Sequence, residues 1–335
     1  MSSINVSTVA AFEAVFYIDP LIISMCCELN LFVSAQLISV FGIVSNVVNI
    51  RLFQKQGYQN VVNITLTALA VSDIGALTNL LVYINVYNPF MNAGVTVISQ
   101  FSIAYVAFYM HEYFIKVSSV ITAFAALERC LCVALPLKTK RMLTRKLTVL
   151  VIATIYGLLS AYILCTFLPY NLDCVALPGT NRTQLSLVLN HYRDELFPIS
   201  YYITDLLLPY CVFTSLIASA ATIFTKLRSK AKWRQSISSA RDGHSKEIKS
   251  ARLFMVVSFV CILLLLPHCV WFSVVAFVRE LNVDGKYSFI DFIALSFTVV
   301  LESLNCSISI FIYYKMSSKY RTELKKMFRL TKVYN

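Results

Sequence analysis

The chain has 335 residues, of which 58% are hydrophobic and 14% charged, and its formal net charge is +12. A soluble globular protein is about half apolar and about a quarter charged, so this composition excludes an ordinary soluble domain. The four histidines are scattered, with no paired spacing such as His-x-x-x-His, which leaves a metalloenzyme without support.

Residues 1–27 read as an N-terminal tail without the basic start or cleavage pattern of a signal peptide, so the first apolar segment is expected to act as the insertion signal. Seven apolar segments follow, at about 28–53, 60–87, 95–131, 147–170, 196–226, 249–279 and 288–314. Each is long enough to cross the roughly 30 Å hydrocarbon core of a bilayer. "NLFVSAQLISVFGIVSNVVNI" (30–50) carries no charge, and "LFMVVSFVCILLLLPHCVWFSVVAFV" (253–278) has only His268 as a polar titratable group besides its thiols. The expected fold is an all-α membrane protein. It has a seven-transmembrane helix bundle over 28–314, then a short amphipathic cytoplasmic helix and tail over 315–335. In that last segment, "KMSSKYRTELKKMF" places Met316, Tyr320, Leu324 and Phe328 toward the inner leaflet.

Orientation follows from the basic residues. The first, third and fifth loops and the C-terminal tail hold 24 of the 29 Lys and Arg. The excess of positive charge on cytoplasmic loops places the N-terminus outside. Two glycosylation sequons, at Asn5 and Asn181, fall on the expected outer side. Basic residues flanking spans also account for the net charge without a nucleic-acid partner.

Charges inside spans are costly and usually mark function. From Gly94 to Ala126 the only titratable groups other than tyrosine are His111, Glu112 and Lys116. Counted back from Arg129 at the inner end of the third span, at 1.5 Å per residue, Lys116 lies about 20 Å and His111 about 27 Å away, in the outer half. Glu112 and Lys116 are spaced i,i+4, the favoured order for a helical ion pair. Asp205 precedes Pro209 by four residues, His268 follows Pro267, and Glu302 precedes Asn305 by three. Six costly residues on four helices thus converge at one depth. Each alone could be neutralised within the core. Together they read as a mixed-charge cavity for a small polar or zwitterionic ligand or a peptide end, with Tyr201, Tyr202, Trp271 and Phe272 as aromatic walls.

Several motifs stand in register along the chain: Asn46 in a Gly-x-x-x-Asn setting, Leu69-Ala70-Val71-Ser72-Asp73, Glu128-Arg129-Cys130 followed by Pro136, Pro209, Pro267, and the ending "NCSISIFIYYKMSSKYR". From about residue 28 to 328 this set resembles the rhodopsin-like (class A) G-protein-coupled receptors. "LERCLCVALPLKTK" and "FIYYKMSSKYR" look more specifically like mollusc chemosensory receptors and invertebrate peptide receptors. The resemblance implies a multi-pass plasma-membrane receptor that takes an extracellular ligand and activates a heterotrimeric G-protein. The role it implies is chemosensory or, alternatively, that of a receptor for a neuropeptide of the FMRFamide type. It makes the outer-half residues the ligand pocket, and Glu128, Arg129 and Tyr313 the coupling switch. Glu247 would be the partner of an inner ionic lock, or a solvated loop charge. With Asp73, the positions Ser118, Asn305 and Ser309 would complete a site for an allosteric sodium ion, or a water-filled polar core; no other cofactor is implied.

The departures are specific. Leu265 replaces the aromatic switch residue, and Ser309-Ile310-Phe311-Ile312-Tyr313 lacks the expected proline. Ala104 stands where a cysteine is expected at the top of the third span, so Cys174 would need Cys26 or Cys27 as its disulfide partner. A retinal receptor is disfavoured because no lysine occurs from Ser288 to Tyr314. A transporter or channel using the buried charges remains the alternative of another class, although no internal repeat supports it.

Overall fold

In the computed structural model of the chain, the residues described are 20–88, 97–135, 139, 143–177, 182–235, 243–281 and 285–333. Seven helices are long and apolar enough to cross a membrane: α1 Leu21–Gln56, α2 Val61–Val86, α3 Gln100–Ala134, α4 Arg145–Phe167, α5 Pro198–Ser229, α6 Ala251–Phe277 and α7 Ser288–Met316. An eighth helix, α8, runs Ser318–Val333. A two-stranded antiparallel hairpin, β1 Tyr170–Ala176 and β2 Thr183–Leu189, joins α4 to α5. The spans match the apolar runs of the sequence. Three boundaries differ: helix already begins at Pro20, so residues expected in the N-terminal tail extend α1, helix continues from α5 to Gln235, and helix leading into α6 begins at Gly243.

Local chemistry sets the helix ends. Gly57 leaves α1 at φ 86, a conformation open to glycine at no steric cost. Its N–H still bonds the carbonyls of Phe53 and Gln54, each at 3.1 Å. The Asn60 side chain caps α2 at Val62 N, Ser99 caps α3 at Ser102 N, and Thr144 caps α4 at Leu147 N.

The helices close a ring in which α3 is the most buried member and packs on α2, α4, α5 and α6. The most lipid-exposed is α4. Between α1 and α7 the approach is close: a Cβ on Gly42 would collide with the Ser307 side chain and with Leu77 of α2. Gly75 of α2 lies against the Phe114 ring in the same way. Small residues let membrane helices approach where burial of apolar surface offers no drive.

Three helices depart from regular winding: Leu29–Ala35 of α1 takes π-type turns, and α5 and α7 depart for local reasons. Tyr202–Leu207 in α5 widens to π-type turns. Pro209, two residues on, lacks an N–H and presses its ring toward the carbonyl four residues back. In α7 the winding is interrupted at Ile308 although no proline is present. Asn46 of α1 donates to the Cys306 carbonyl there at 2.8 Å, and Ser307 Oγ reaches the Ile38 carbonyl at 3.1 Å.

The hairpin is fastened to the start of α3 without sulfur. Leu185 N donates to Val97 O and Ser99 N to Leu185 O, both at 2.8 Å. Leu187 N donates to Ser102 Oγ at 2.8 Å, and the Ser99 and Ser186 hydroxyls meet at 2.9 Å. The expected disulfide is not formed: Cys174, Cys26 and Cys27 are all free thiols, and Cys174 is exposed. Cys27 lies beside Ser296 of α7, whereas Cys174 rides on the hairpin bound to α3.

The α8 helix also corrects an expectation. Tyr320 and Leu324 turn into the protein and pack with Phe53 and Tyr313 instead of meeting lipid, while Phe328 is exposed. Burial among these rings pushes the Tyr320 phenol above its ordinary pKa.

Candidate functional site

All six outer-half residues anticipated from the sequence meet, as two linked groups. In the first, Lys116 of α3 bridges two carboxylates. Its Nζ lies 2.8 Å from Glu112 Oε2, one turn earlier on the same helix, and 3.0 Å from Asp205 Oδ1 on the widened turns of α5. The ammonium also sits 4.8 Å from the centre of the Tyr162 ring of α4, close enough for a cation–π contact. In the second group, Glu302 of α7 lies between two imidazoles. Its Oε2 is 3.2 Å from His111 Nε2, and its Oε1 is 2.6 Å from His268 Nδ1. His111 Nδ1 is fixed by the Ala76 carbonyl of α2 at 3.0 Å. A carbonyl only accepts, so that nitrogen carries a hydrogen.

Above these groups, on the hairpin side, opens a cavity of about 390 Å³, within the size range of small-molecule sites. Tyr109, Tyr162, Tyr201, Trp271 and Phe272 form aromatic walls. Only Glu112 and Asp205 of the six reach it. Lys116, His268 and Glu302 line a second cavity of about 30 Å³ just beneath, together with those two acids. The sequence reading therefore found the polar floor but placed too many charges in contact with the ligand space. It also missed Asp291. This carboxylate stands in the first turn of α7, lines the larger cavity and accepts a hydrogen bond from Trp271 Nε1 at 2.7 Å. An acid opening an apolar helix was the available signal. Tyr109 and Tyr162 carried none, since tyrosines occur throughout the spans.

Deeper in the bundle, Ser118 donates to Asp73 Oδ1 at 2.7 Å. Asp73, Ser118, Asn305 and Ser309 line one cavity of about 20 Å³. Ser309 also lies 3.1 Å from Asn49 Nδ2, and the Tyr320 hydroxyl donates to Asn49 Oδ1. At the α8 end of the bundle, Arg129 pairs with its neighbour Glu128 at 2.8 Å and lies 6.0 Å from the Phe254 ring of α6. Glu128 is buried and is 3.5 Å from Thr65 Oγ1 of α2. Tyr313 is buried between Phe53 and Tyr320, with ring centres 5.5 and 5.7 Å away. The side chain of Glu247 lies outside the described residues, as do Asn5 and Asn181.

Residues 33–331 match the profile of a family described as serpentine type 7TM GPCR chemoreceptor Srw. Comparison with curated proteins gives no match.

Proposed function

The chain belongs to the serpentine 7TM GPCR chemoreceptor family, and on that premise we propose that it binds a small amine-bearing or zwitterionic ligand in the 390 Å³ cavity. The observation that carries this reading is the charge of that cavity. Three carboxylates, Glu112, Asp205 and Asp291, line it, and the one ammonium nearby, Lys116, is already engaged by two of them. An incoming amine finds acids at the floor and rim, and aromatic faces for its apolar body.

The hairpin end faces the exterior in this reading, and the α8 end faces the cytoplasm of a plasma-membrane receptor, as the distribution of basic residues supports. A ligand shifts a conformational equilibrium only by binding one state better than the other. The Lys116–Asp205 contact joins α3 to α5. A ligand amine that competes for Asp205 loosens that joint and favours a different α3–α5 arrangement. At the other end, loss of the Glu128–Arg129 pair would free Arg129 for a G-protein, with Glu247 and Tyr313 as further parts of that switch. The oxygens of Asp73, Ser118, Asn305 and Ser309 suit a hard monovalent cation; they would hold sodium in their shared cavity and favour the resting arrangement.

The test is a panel of amino acids, amines and short peptides applied to cells expressing the receptor, with G-protein activation as readout. An amine-bearing agonist is expected, and Asp205→Asn and Asp291→Asn should each weaken its potency about ten-fold or more, the loss of one charged hydrogen bond. An agonist equally potent on both variants, at unchanged surface expression, would remove the cavity from the reading.

A further inference from the structure

Beneath the ligand cavity, one ligand atom from each of His111, Glu112 and Glu302 lies within 4.8 Å of the others, and all three residues are buried. We infer that these residues, with His268 as a fourth, form a site for a divalent transition-metal ion of the zinc type. The inference goes beyond the ligand reading and needs neither a ligand nor a G-protein.

Four observations carry it. First, the donors are imidazole and carboxylate, the mixture that zinc accepts. Second, His111 is set up as such a ligand: the Ala76 carbonyl holds Nδ1 at 3.0 Å and leaves Nε2 facing the carboxylate of Glu302. Metal-bound histidines regularly have their other nitrogen held this way. The 3.2 Å between Nε2 and Oε2 is close to the separation of two ligands on one tetrahedral ion with bonds of about 2.0–2.1 Å. Third, buried oxygens and nitrogens here lack other partners. Glu112 is 4% exposed; its Oε2 is on Lys116, and its Oε1 has no hydrogen-bond partner among the described residues. His268 Nδ1 and Glu302 Oε1 approach to 2.6 Å, yet both lack hydrogen-bond geometry to any partner. Buried polar atoms left in that state are rare and call for an explanation. Fourth, the charges balance. Among the described residues, Glu112, Asp205 and Glu302 face a single ammonium, Lys116. With neutral imidazoles, two negative charges remain, which one divalent cation cancels.

There is also room and a way in. The 30 Å³ cavity touches Glu112, His268 and Glu302, enough space for one small occupant. Glu112 lines this cavity and the larger one above it, so an ion descends along the carboxylate that would bind it.

The experiment uses the full-length receptor, purified into lipid nanodiscs without ligand. Samples equilibrated with zinc or magnesium chloride are desalted, metal per chain is measured, and the melting temperature is recorded with each ion. About one zinc and no magnesium should be retained, and zinc alone should raise the melting temperature. His111→Asn should weaken zinc retention at least about ten-fold, the low end of what even an outer partner of a metal site contributes. His191→Asn, at an exposed position, should leave it unchanged. If His111→Asn does not fold, His268→Asn takes its place. A parent protein that retains no zinc overturns the proposal without any variant, and leaves these residues as a proton-balanced ion cluster. Retention that survives loss of His111 and His268, or that is lost with His191, overturns it as well.

Discussion

The two buried polar layers of the bundle are built from opposite materials. The layer under the 390 Å³ cavity is ionic: Glu112, Lys116 and Asp205 form one chain of contacts, and His111, Glu302 and His268 another. The layer where α1, α7 and α8 meet is made of amides and hydroxyls. Asn46 holds the Cys306 carbonyl, and Asn49 joins Ser309 to Tyr320. Neutral hydrogen bonds contribute about 0.5–1.5 kcal/mol each, so such a layer weakens in steps. An ionic group stripped of its partner leaves a buried charge uncompensated, so the first layer fails as a unit. That makes it the more cooperative layer, while the other ties α1 to α7 and α8.

Lys116→Met tests the difference most severely. It leaves the buried Glu112 carboxylate facing the partly buried one of Asp205, and should destabilise the protein by about 3–5 kcal/mol, read as a large fall in melting temperature after solubilisation. Adding Glu112→Gln and Asp205→Asn should recover most of the loss. A single variant as stable as the parent would erase the contrast between the layers. Asn49→Ala should have a middling effect, about 1–3 kcal/mol, because it removes one of two partners of Ser309 and the acceptor of the Tyr320 hydroxyl at once. A loss as large as that of Lys116→Met would show that the neutral layer is also cooperative. The smallest effect belongs to Cys174→Ser. With hydrogen bonds and ring packing, and no sulfur, fastening the hairpin to α3, stability should change by less than about 0.5 kcal/mol, and a reductant should not shift the melting temperature of the parent. A clear drop in either measurement would put a sulfur bridge at the hairpin end.

The spans were legible because lipid imposes one solution: each backbone group must be satisfied within its own helix, so apolar length alone reveals it. The ionic floor was legible for a related reason, since His111, Glu112, Lys116, Asp205, His268 and Glu302 are too costly to occur at one depth by accident. Their pairing was not. Whether Glu302 would meet Lys116 or the two histidines depends on helix rotation, which periodicity in an almost wholly apolar segment does not fix. The hairpin escaped notice because "YNLDCVA" and "TQLSLVL" alternate only weakly, and its place on α3 depends on contacts with Ser99 and Ser102 far away in sequence. Tyr320 and Leu324 read as a lipid-facing stripe, because an amphipathic helix has the same pattern whether its apolar side covers lipid or protein.

The interruption of α7 at Ile308 has a consequence for how the helix can age through a signalling cycle. A proline kink is permanent, since the missing amide hydrogen is missing in every conformation. Ile308 and its neighbours keep theirs. What holds this break open is borrowed from outside the backbone: the Asn46 amide on Cys306 and the Ser307 hydroxyl on Ile38. If α1 slides away, the Asn46 amide and the Ile38 carbonyl leave with it, and the ladder of α7 can close over the gap. The interruption is therefore conditional on the first helix, whereas a proline kink is not.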